Sequence, residues 1–460
     1  MILPRLIVAD EIQKGNIPAS LILIQAMRHK QIPVNVFFYG RSEEDLRLMR
    51  LLNDSPVSCL DTFTMGTPRN MKALFQRCAS EKAVNIVSIP LGLALDEKTF
   101  QMNPEIADVT RFLDCGCIPV MSTTTAASVS ATLAASAIAS LGEVAPGKTP
   151  GIIFNDVKNP REFQLLEKEL YRRTSALTLG FMPHSTSCSM PPMQTLNAKN
   201  PAMSLIPVKS ASLQLVGGER QIEWDVLDGI SRLDAEWTPP EPYRYQKKHL
   251  EVAVVGRHLS LEGEGNLEAF RMLGCSVYGY DHTKDDFPIS ADILYFPHTI
   301  NEPHIEELLC DPKFRAGIVA SFRGNKMILA TGASSMLFGE FYRTADQRKI
   351  EGLRFFPYSG NTAHGAHGRV HRVRRVEARC IKDTCFISNN EKVRGYTVGG
   401  FNIANPGNLA APCLSFRDMK SDVDMGLSGW TTGYCFVTDL RLDLWSALET
   451  MNHWLAQRSR

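Results

Sequence analysis

The sequence has almost no net charge, because 50 Lys and Arg residues stand against 49 Asp and Glu residues, a formal charge of +1. A surface this balanced has no general attraction for nucleic acid or for an anionic membrane, and we expect neither partner. A long, purely apolar run is also lacking. The most membrane-like stretch, residues 120–141, contains Ser and Thr throughout and is too polar to span a bilayer.

Disulfide and zinc-ribbon patterns are missing too. The eleven cysteines follow no repeated spacing, and no two of them form a C-x-x-C pair. The amino terminus lacks a basic segment followed by an apolar segment and a cleavage site. An odd number of cysteines without such a signal indicates reduced thiols, so we expect a cytoplasmic protein.

Common catalytic motifs are absent or out of place. The sequence holds no H-E-x-x-H and no Ser-His-Asp set in a workable context. Residues 142–149 fit the phosphate-loop pattern G-x-x-x-x-G-K-[ST], but a helix-like run precedes them and a strand-like run follows. A phosphate loop works only between a strand and a helix, so this match is interpreted as accidental.

The sequence does contain short apolar runs that alternate with amphipathic segments. The runs interpreted as buried strands in the first half are residues 6–9, 34–38, 84–89, 118–121, 151–154 and 176–179. This alternation predicts an α/β fold with a mostly parallel, doubly wound sheet. A proline-rich segment then interrupts the pattern, which restarts near residue 252. We therefore predict one domain over residues 1–236, a linker over 237–248 and a second α/β domain over 249–460.

Residues 327–339 have the pattern of a nucleophile elbow. An apolar run leads into Gly332, and an apolar helix start follows. A strand, a tight turn and a helix hold the nucleophile of many α/β enzymes at the carboxyl edge of a sheet. Glycine relieves the strain of such a turn but has no side chain that can attack a substrate. The sequence thus predicts the shape of the elbow without a nucleophile.

The first predicted strand leads into a second candidate site, where a phosphate loop would normally lie. This loop contains a single glycine, Gly15, and no Lys-Thr pair. The Asp10 carboxylate would face the phosphates, and Asn16 cannot neutralise their charge. A plain connecting loop is therefore favoured over a working nucleotide site.

Three histidines form the only candidate for a metal site. His364, His367 and His371 are close enough in sequence to share a metal ion. Four arginines interleave with them, and no acidic residue is present to orient a ligand. A solvated basic loop or an anion contact is favoured, and a metal-dependent or basic-site function over residues 361–385 is the third hypothesis.

Several segments in one order resemble the cobyrinate a,c-diamide synthase family, whose members amidate side-chain carboxylates of tetrapyrroles. The segments, each with its family pattern, are residues 59–66 (N-L-D-S-W-M-L-G), 151–157 (G-V-I-L-N-R-V), 179–183 (L-G-A-L-P), 265–268 (E-N-L-E) and 302–308 (E-L-H-A-E-E-L). The resemblance implies a P-loop-NTPase-like synthetase domain followed by a class I glutamine amidotransferase-like domain. It also implies ATP and magnesium as cofactors of an active member.

The catalytic positions depart from the family pattern. The G-K-T-T of the family is represented by residues 15–18, its acidic E-G-V-M-G position by Ser88, and its nucleophilic cysteine by Gly332. Its oxyanion glycines are represented by residues 297–299, and its H-E-F-H segment by residues 396–399. As residues implied by the resemblance, Asp61 and Ser88 remain as substrate-binding candidates, and Asp10, Gly15 and Asn16 as the remnant of the phosphate loop.

Glutamine hydrolysis needs a thiolate, a base and an oxyanion site acting together, and carboxylate activation needs neutralised phosphates. The first hypothesis is therefore a non-catalytic homologue without a required cofactor. It would bind a tetrapyrrole or pair with an active homologous amidase, as a homo- or hetero-oligomer. The alternative is an active amidoligase that uses ATP, magnesium and free ammonia on a tetrapyrrole carboxylate.

Overall fold

The computed structural model describes residues 1–11, 15–53, 57–95, 101–123, 125–144, 146–198, 200–218, 221–260, 262, 264–299, 302–344, 347–361, 373–398, 402–404 and 412–458. The chain divides into two compact units. The first contains Met1–Thr62 and Thr67–Pro242, and the second contains Phe63–Gly66 and Tyr243–Arg460. Tyr243 lies within the segment predicted as a linker, whereas Phe63–Gly66 comes from the sequence of the predicted first domain.

The first unit is built on a seven-stranded, fully parallel sheet in the order β3-β2-β4-β1-β5-β6-β7. Its strands are β1 (Arg5–Asp10), β2 (Val34–Phe38), β3 (Ser58–Cys59), β4 (Val84–Pro90), β5 (Gly116–Ser122), β6 (Gly151–Val157) and β7 (Leu177–Pro183). Every residue of β1 and β4 is buried. Continuous burial explains why these strands are apolar runs without alternation.

Helices connect these strands, as the amphipathic segments predict. They are α1 (Ala19–His29), α2 (Glu43–Asn53), α4 (Pro68–Cys78), α5 (Leu91–Ala94), α6 (Pro104–Leu113), α7 (Ala127–Val144) and α8 (Pro160–Tyr171), and after β7 come α9 (Met193–Leu196), α10 (Ala202–Gly217) and α11 (Trp224–Arg232). The short helix α3 (Thr62–Met65) follows β3 in sequence, but its residues Phe63–Met65 belong to the second unit. Helices α4, α6 and α8 begin alike: Thr67, Asn103 or Asn159 accepts a helix N–H, and a proline follows. Proline suits the first helical position because its fixed φ fits and its missing N–H is not needed there.

The second unit contains more strands than the sequence predicts. Its strands are β8 (Glu251–Val255), β9 (Ser276–Tyr280), β10 (Ile293–Phe296), β11 (Met327–Thr331), β12 (Phe341–Arg343), β13 (Lys349–Glu351), β14 (Ser359–Asn361), β15 (Arg375–Cys380), β16 (Lys392–Tyr396), β17 (Asn402–Ala404), β18 (Leu414–Asp418), β19 (Asp424–Ser428), β20 (Trp430–Thr432), β21 (Cys435–Thr438) and β22 (Arg441–Leu442). Its helices are α12 (Gly265–Met272), α13 (Glu302–Cys310), α14 (Pro312–Arg323) and α15 (Leu448–Ala456).

The main sheet of this unit has the order β20-β21-β11-β10-β8-β9, and every pair except β20 with β21 is parallel. Together with the first sheet, it confirms the predicted doubly wound α/β fold class. Two further sheets have the orders β13-β12-β14-β17, in which only β12 and β14 are parallel, and β19-β18-β15-β16-β22, which is antiparallel throughout. Sequence analysis did not predict them, because their strands are short and carry many charged residues.

Among the described residues, no helix combines the length and the apolar composition needed to cross a membrane.

Candidate functional site

The carboxyl edge of the first sheet brings two of the predicted residues together. Asp10 ends β1 and Ser88 lies in β4, and both side chains are fully buried. Ser20, in the first turn of α1, is also fully buried, and its hydroxyl lies 2.8 Å from that of Ser88. The strand, loop and helix order here is the context in which phosphate loops operate.

The Arg41 side chain also lies at this edge of the sheet, although Arg41 comes from a different part of the chain. It follows β2, its side chain is 0% exposed, and its guanidinium forms an ion pair with Asp10. The same guanidinium donates to the hydroxyls of Ser88 (2.9 Å) and Ser20 (3.0 Å). We call Asp10, Ser20, Arg41 and Ser88 the Asp10 cluster. Sequence analysis missed Arg41 and Ser20, since no motif links residues so far apart.

The cluster also uses the amino terminus of α1. The Asp10 carboxylate accepts the backbone N–H of Ser20 at 2.9 Å. A protein carboxylate therefore takes the helix N–H and neutralises the guanidinium, two groups that would otherwise attract an anion.

Gly15 and Asn16 lie in the loop between β1 and α1, and this loop pairs with residues 188–190. The Ile17 N–H donates to the carbonyl of Cys188, and the Met190 N–H donates to the carbonyl of Gly15, both at 2.8 Å. Asn16 faces Ser189 in the resulting antiparallel bridge. The cavity beside Asn16 has a volume of about 10 Å³, which is room for one water molecule.

Asp61 lies near Tyr39 and is not part of the Asp10 cluster. It is half-buried and directly precedes α3. Burial and then the Asp61 charge raise the pKa of Tyr39 to about 12, and the Tyr39 hydroxyl lies 2.7 Å from that of Thr62. Asp61 is thus an acidic neighbour of a buried tyrosine.

The phosphate-loop match at residues 142–149 has the reversed context that the sequence predicts. It begins in the last turn of α7 and ends before β6. Its Lys148 ammonium pairs with Asp234 at 2.5 Å and with Asp114 at 3.1 Å. The lysine is therefore used in ion pairs within the protein.

The predicted elbow is present in the second unit. Strand β11 ends at Thr331, and Gly332 has a φ of +59°, in the left-handed region where glycine is favoured. The chain continues as a buried 3₁₀ helix, Gly332–Phe338, and not as the α-helix that the sequence predicts. The Gly332 N–H donates to the carbonyl of Leu440 at 3.0 Å.

His298 fills the space in front of the elbow. It follows β10, is fully buried, and its Nδ1 accepts the N–H of Ala333 at 3.2 Å. A Cβ atom on Gly332 would lie 2.5 Å from that same Nδ1. In nucleophile elbows the N–H after the nucleophile stabilises the oxyanion. The imidazole therefore occupies both the side-chain position and the oxyanion donor.

A buried carboxylate, which sequence analysis missed, supports this arrangement. Glu262 accepts hydrogen bonds from Thr331 Oγ1 (2.9 Å), from the His298 N–H (3.0 Å) and from Asn266 Nδ2 (2.8 Å). It also accepts the Tyr295 hydroxyl, and burial followed by the Glu262 charge raises the pKa of Tyr295 well above its ordinary value. Four donors use the accepting positions of the carboxylate, so Glu262 holds the elbow strand to its neighbours.

The strand beside the elbow strand comes from the C-terminal part of the chain. Residues 396–399 were matched to the family's histidine segment, but Tyr396 belongs to β16, which pairs with β15 and β22 in an antiparallel sheet. Strand β21 is the one that pairs with β11. Asp439 follows β21, and burial raises the pKa of its carboxyl group. Tyr396 thus lies in a different sheet from the elbow strand, and the match of residues 396–399 to the family's histidine segment stays a prediction.

The candidate metal ligands His364, His367 and His371 lie outside the described residues. Within the residues that the structure describes, no group of three or more His, Cys, Asp and Glu side chains is arranged to hold a metal ion.

Comparison with known proteins finds distant relatives by sequence. No family model matches the chain. It is 22% identical over 338 residues to the cobyrinate a,c-diamide synthase of Listeria monocytogenes, covering 73% of this chain and 74% of that protein. The enzyme of the same name from Limosilactobacillus reuteri is 19% identical over 424 residues, covering 91% of this chain and 90% of the relative.

Two solved structures are similar over part of the chain. PurLQS from Thermotoga maritima is 14% identical, with a TM-score of 0.31, over 46% of this chain and 97% of that one. The MinC:MinD complex from Aquifex aeolicus is 12% identical, with a TM-score of 0.29, over 47% of this chain and 96% of that one. By sequence, then, this protein is a distant relative of the cobyrinate a,c-diamide synthases.

Proposed function

We propose that this chain is a non-catalytic homologue of the cobyrinate a,c-diamide synthases. In this proposal it acts in the cytoplasm, where it binds a tetrapyrrole or pairs with an active amidase as a homo- or hetero-oligomer. All eleven cysteines are free thiols, which suits a reducing compartment. The position of His298 at the elbow carries the proposal.

Gly332 and His298 are sterically matched at the elbow. Gly332 leaves room for the imidazole of His298, and the imidazole holds the Ala333 N–H at 3.2 Å. A cysteine at position 332 would place its Cβ within 2.5 Å of Nδ1. Restoring the nucleophile alone would therefore not restore the site, since the oxyanion donor would stay occupied.

The Asp10 cluster supports the same proposal in the first unit. The one guanidinium in the cluster is already paired with Asp10, and the helix N–H of Ser20 is already bonded. A nucleotide would have to displace a buried ion pair, which leaves a charge unpaired and costs several kcal/mol, roughly 3–5.

Enzyme assays test the absence of catalysis. Glutamate and ammonia release would be measured from the purified protein and glutamine, with and without ATP, magnesium and cobyrinate, using the Listeria relative as a positive control. We expect no release above a heat-denatured control. Glutamine-dependent turnover would overturn the proposal, and ATP-dependent incorporation of ammonia into a tetrapyrrole carboxylate would establish the alternative amidoligase.

Binding assays test the retained role. Cobyrinate would be titrated into the protein without ATP and followed by its visible absorbance, and the protein would be mixed with the active synthase of the same cell and analysed by size-exclusion chromatography. We expect one of the two complexes to form. If neither complex formed, the proposed binding role would be rejected.

A further inference from the structure

The edge strands of the two main sheets differ in how far their outward backbone groups are covered. In the first sheet β3 has two residues, and the longer edge strand β7 is covered by residues 221–223. The Phe181 N–H donates to the carbonyl of Gln221 at 2.6 Å, and the Glu223 N–H donates to that of Leu179 at 2.9 Å. In the second sheet β20 has three residues. Short or covered edges prevent unwanted pairing.

Strand β9 is the exception. Its five residues form the end of the second sheet and pair with β8 alone in the part of the chain that is described. The Ser276 N–H donates to Leu250, and the carbonyl of Tyr280 accepts from Gly256. Because backbone groups alternate along a strand, those of Val277 and Gly279 point away from β8. The strand contains no charged residue and no proline, the usual protections of an edge.

A groove of about 550 Å³ lies along this strand. It is lined by the strand residues Tyr278, Gly279 and Tyr280 and by residues 285–290 of the following loop. Phe287 contributes an aromatic wall and packs edge-on against Tyr280, with ring centroids 5.9 Å apart. The groove therefore combines a backbone edge with aromatic and apolar surface.

The groove is also acidic. Asp285 and Asp286 line it and are exposed. Burial raises the pKa of Tyr280 to about 12, and the charges of Asp311, Asp285, Asp281 and Asp286 contribute in the same direction. Of these four carboxylates, Asp281 is paired with Lys284 at 2.9 Å. The remaining charge favours a cationic ligand.

We propose that β9 and this groove bind a basic segment of a partner protein in an extended conformation. The segment adds to the sheet as a further strand and bonds to the outward backbone groups of Val277 and Gly279. Its alternate side chains face the groove, where lysine or arginine meets Asp285 and Asp286 and apolar residues contact Phe287. This inference does not depend on the loss of catalysis at Gly332, so the two proposals fail separately.

Synthetic peptides test the proposal on the full-length protein. Nonapeptides in which one strand face carries lysine and valine in turn, with serine on the other face, would be compared with peptides that carry glutamate in place of lysine, and with lysine peptides whose backbone amides are N-methylated at alternate positions. Fluorescence anisotropy measures binding at low and high salt. We expect the lysine peptide to bind at least roughly tenfold more tightly than either comparison peptide, and salt to weaken it.

Variants separate the backbone contribution from the charge. Gly279→Pro removes an outward N–H, and the double variant Asp285→Asn/Asp286→Asn removes the charge, so each should weaken the lysine peptide roughly tenfold. Asp422→Asn/Asp424→Asn is the matched control, because both acids are exposed, Asp422 lies between β18 and β19, and Asp424 begins β19. Hydrogen exchange should show protection of the Val277 and Gly279 amides when the peptide is bound.

The possible results decide the question. Equal binding of lysine and glutamate peptides, no binding of any, or undiminished binding of the N-methylated peptide would overturn strand addition. A Gly279→Pro protein that fails to fold leaves the N-methylated peptide and the exchange data to decide. Tight binding of an oligonucleotide in place of the peptide would also overturn the proposal, since the groove would then be selecting anions.

Discussion

At the scale of single residues, two side chains occupy the positions where a nucleophile and a phosphate group would be expected. His298 lies against Gly332 at the elbow, and Arg41 lies against Asp10 at the carboxyl edge of the first sheet. Both are fully buried, and each takes up groups that could otherwise serve chemistry, the Ala333 N–H and the Ser20 hydroxyl. Substitutions at these positions should therefore report on packing and pairing within the protein.

Gly332 should tolerate alanine poorly because of its neighbour. Gly147 has a similar φ of +73°, and a Cβ atom added there would have no other atom within 4 Å, so it is a matched control. We expect Gly147→Ala to cost about 1 kcal/mol from backbone strain alone. Gly332→Ala should cost about 2–4 kcal/mol, because the contact with His298 adds to that strain. Urea denaturation measures both.

A double variant checks the cause. Adding His298→Ala to Gly332→Ala should recover part of the loss, whereas adding it to Gly147→Ala should not. If the two alanine variants were equally destabilised, His298 would not be what excludes a side chain from position 332.

The ion pair between Asp10 and Arg41 should be more sensitive to the loss of one charge than to the loss of both. Arg41→Met leaves the buried Asp10 carboxylate without its cation and should lower the free energy of unfolding by about 3–5 kcal/mol. Arg41→Met combined with Asp10→Asn should lose less, because no charge is then left unpaired. Denaturant unfolding of the three proteins measures this, and a double variant less stable than Arg41→Met would contradict the account.

At the scale of elements, one carboxylate joins three parts of the second unit. Glu262 binds Asn266 on α12, Tyr295 on β10 and Thr331 on β11. Three elements distant in sequence thus share one acceptor group. The sequence marks the elements by their apolar patterns but gives no sign of the acceptor that connects them.

Glu262→Gln should therefore destabilise the unit. The amide replaces one accepting oxygen by a donor that faces other donors, and we expect a loss of about 2–3 kcal/mol. Glu268→Gln is the control, because Glu268 makes a partly exposed ion pair with Arg271 within one helix, and its loss should stay under about 1 kcal/mol. Thermal unfolding of both variants makes the comparison, and equal losses would show that Glu262 is not a shared anchor.

At the scale of the whole molecule, buried histidine should govern stability in acid. Burial, followed by the neighbouring charges of His282 and His258, lowers the pKa of His304 from 6.5 to about 4. An unfolded chain would take up this proton below pH 6.5 and the folded one only near pH 4, so the folded state is penalised as pH falls through that window. We expect a loss of roughly 3 kcal/mol between these values.

Unfolding measured from about pH 7.5 to about pH 4 tests this sign. His304→Gln should flatten the profile over that window, even if the variant is less stable at every pH. His184→Gln is the control, because His184 is 70% exposed. An unchanged slope in the His304 variant would assign the acid sensitivity to other groups.

The sequence by itself determined the repeating features of this protein. Apolar runs predicted the parallel strands, and the amphipathic segments between them predicted helices. Gly332 marked an elbow without a nucleophile. These features follow from local backbone preferences and from the burial of whole strands, which neighbouring residues in the sequence already express.

Only the tertiary structure decided what occupies the two sites. His298 and Ala333 are 35 positions apart, and Arg41 and Asp10 are 31 apart. It also decided that β21 lies beside the elbow strand and that, among the described residues, β9 pairs with β8 alone. Such contacts depend on how strands are ordered in a sheet, and no local pattern of residues encodes that order.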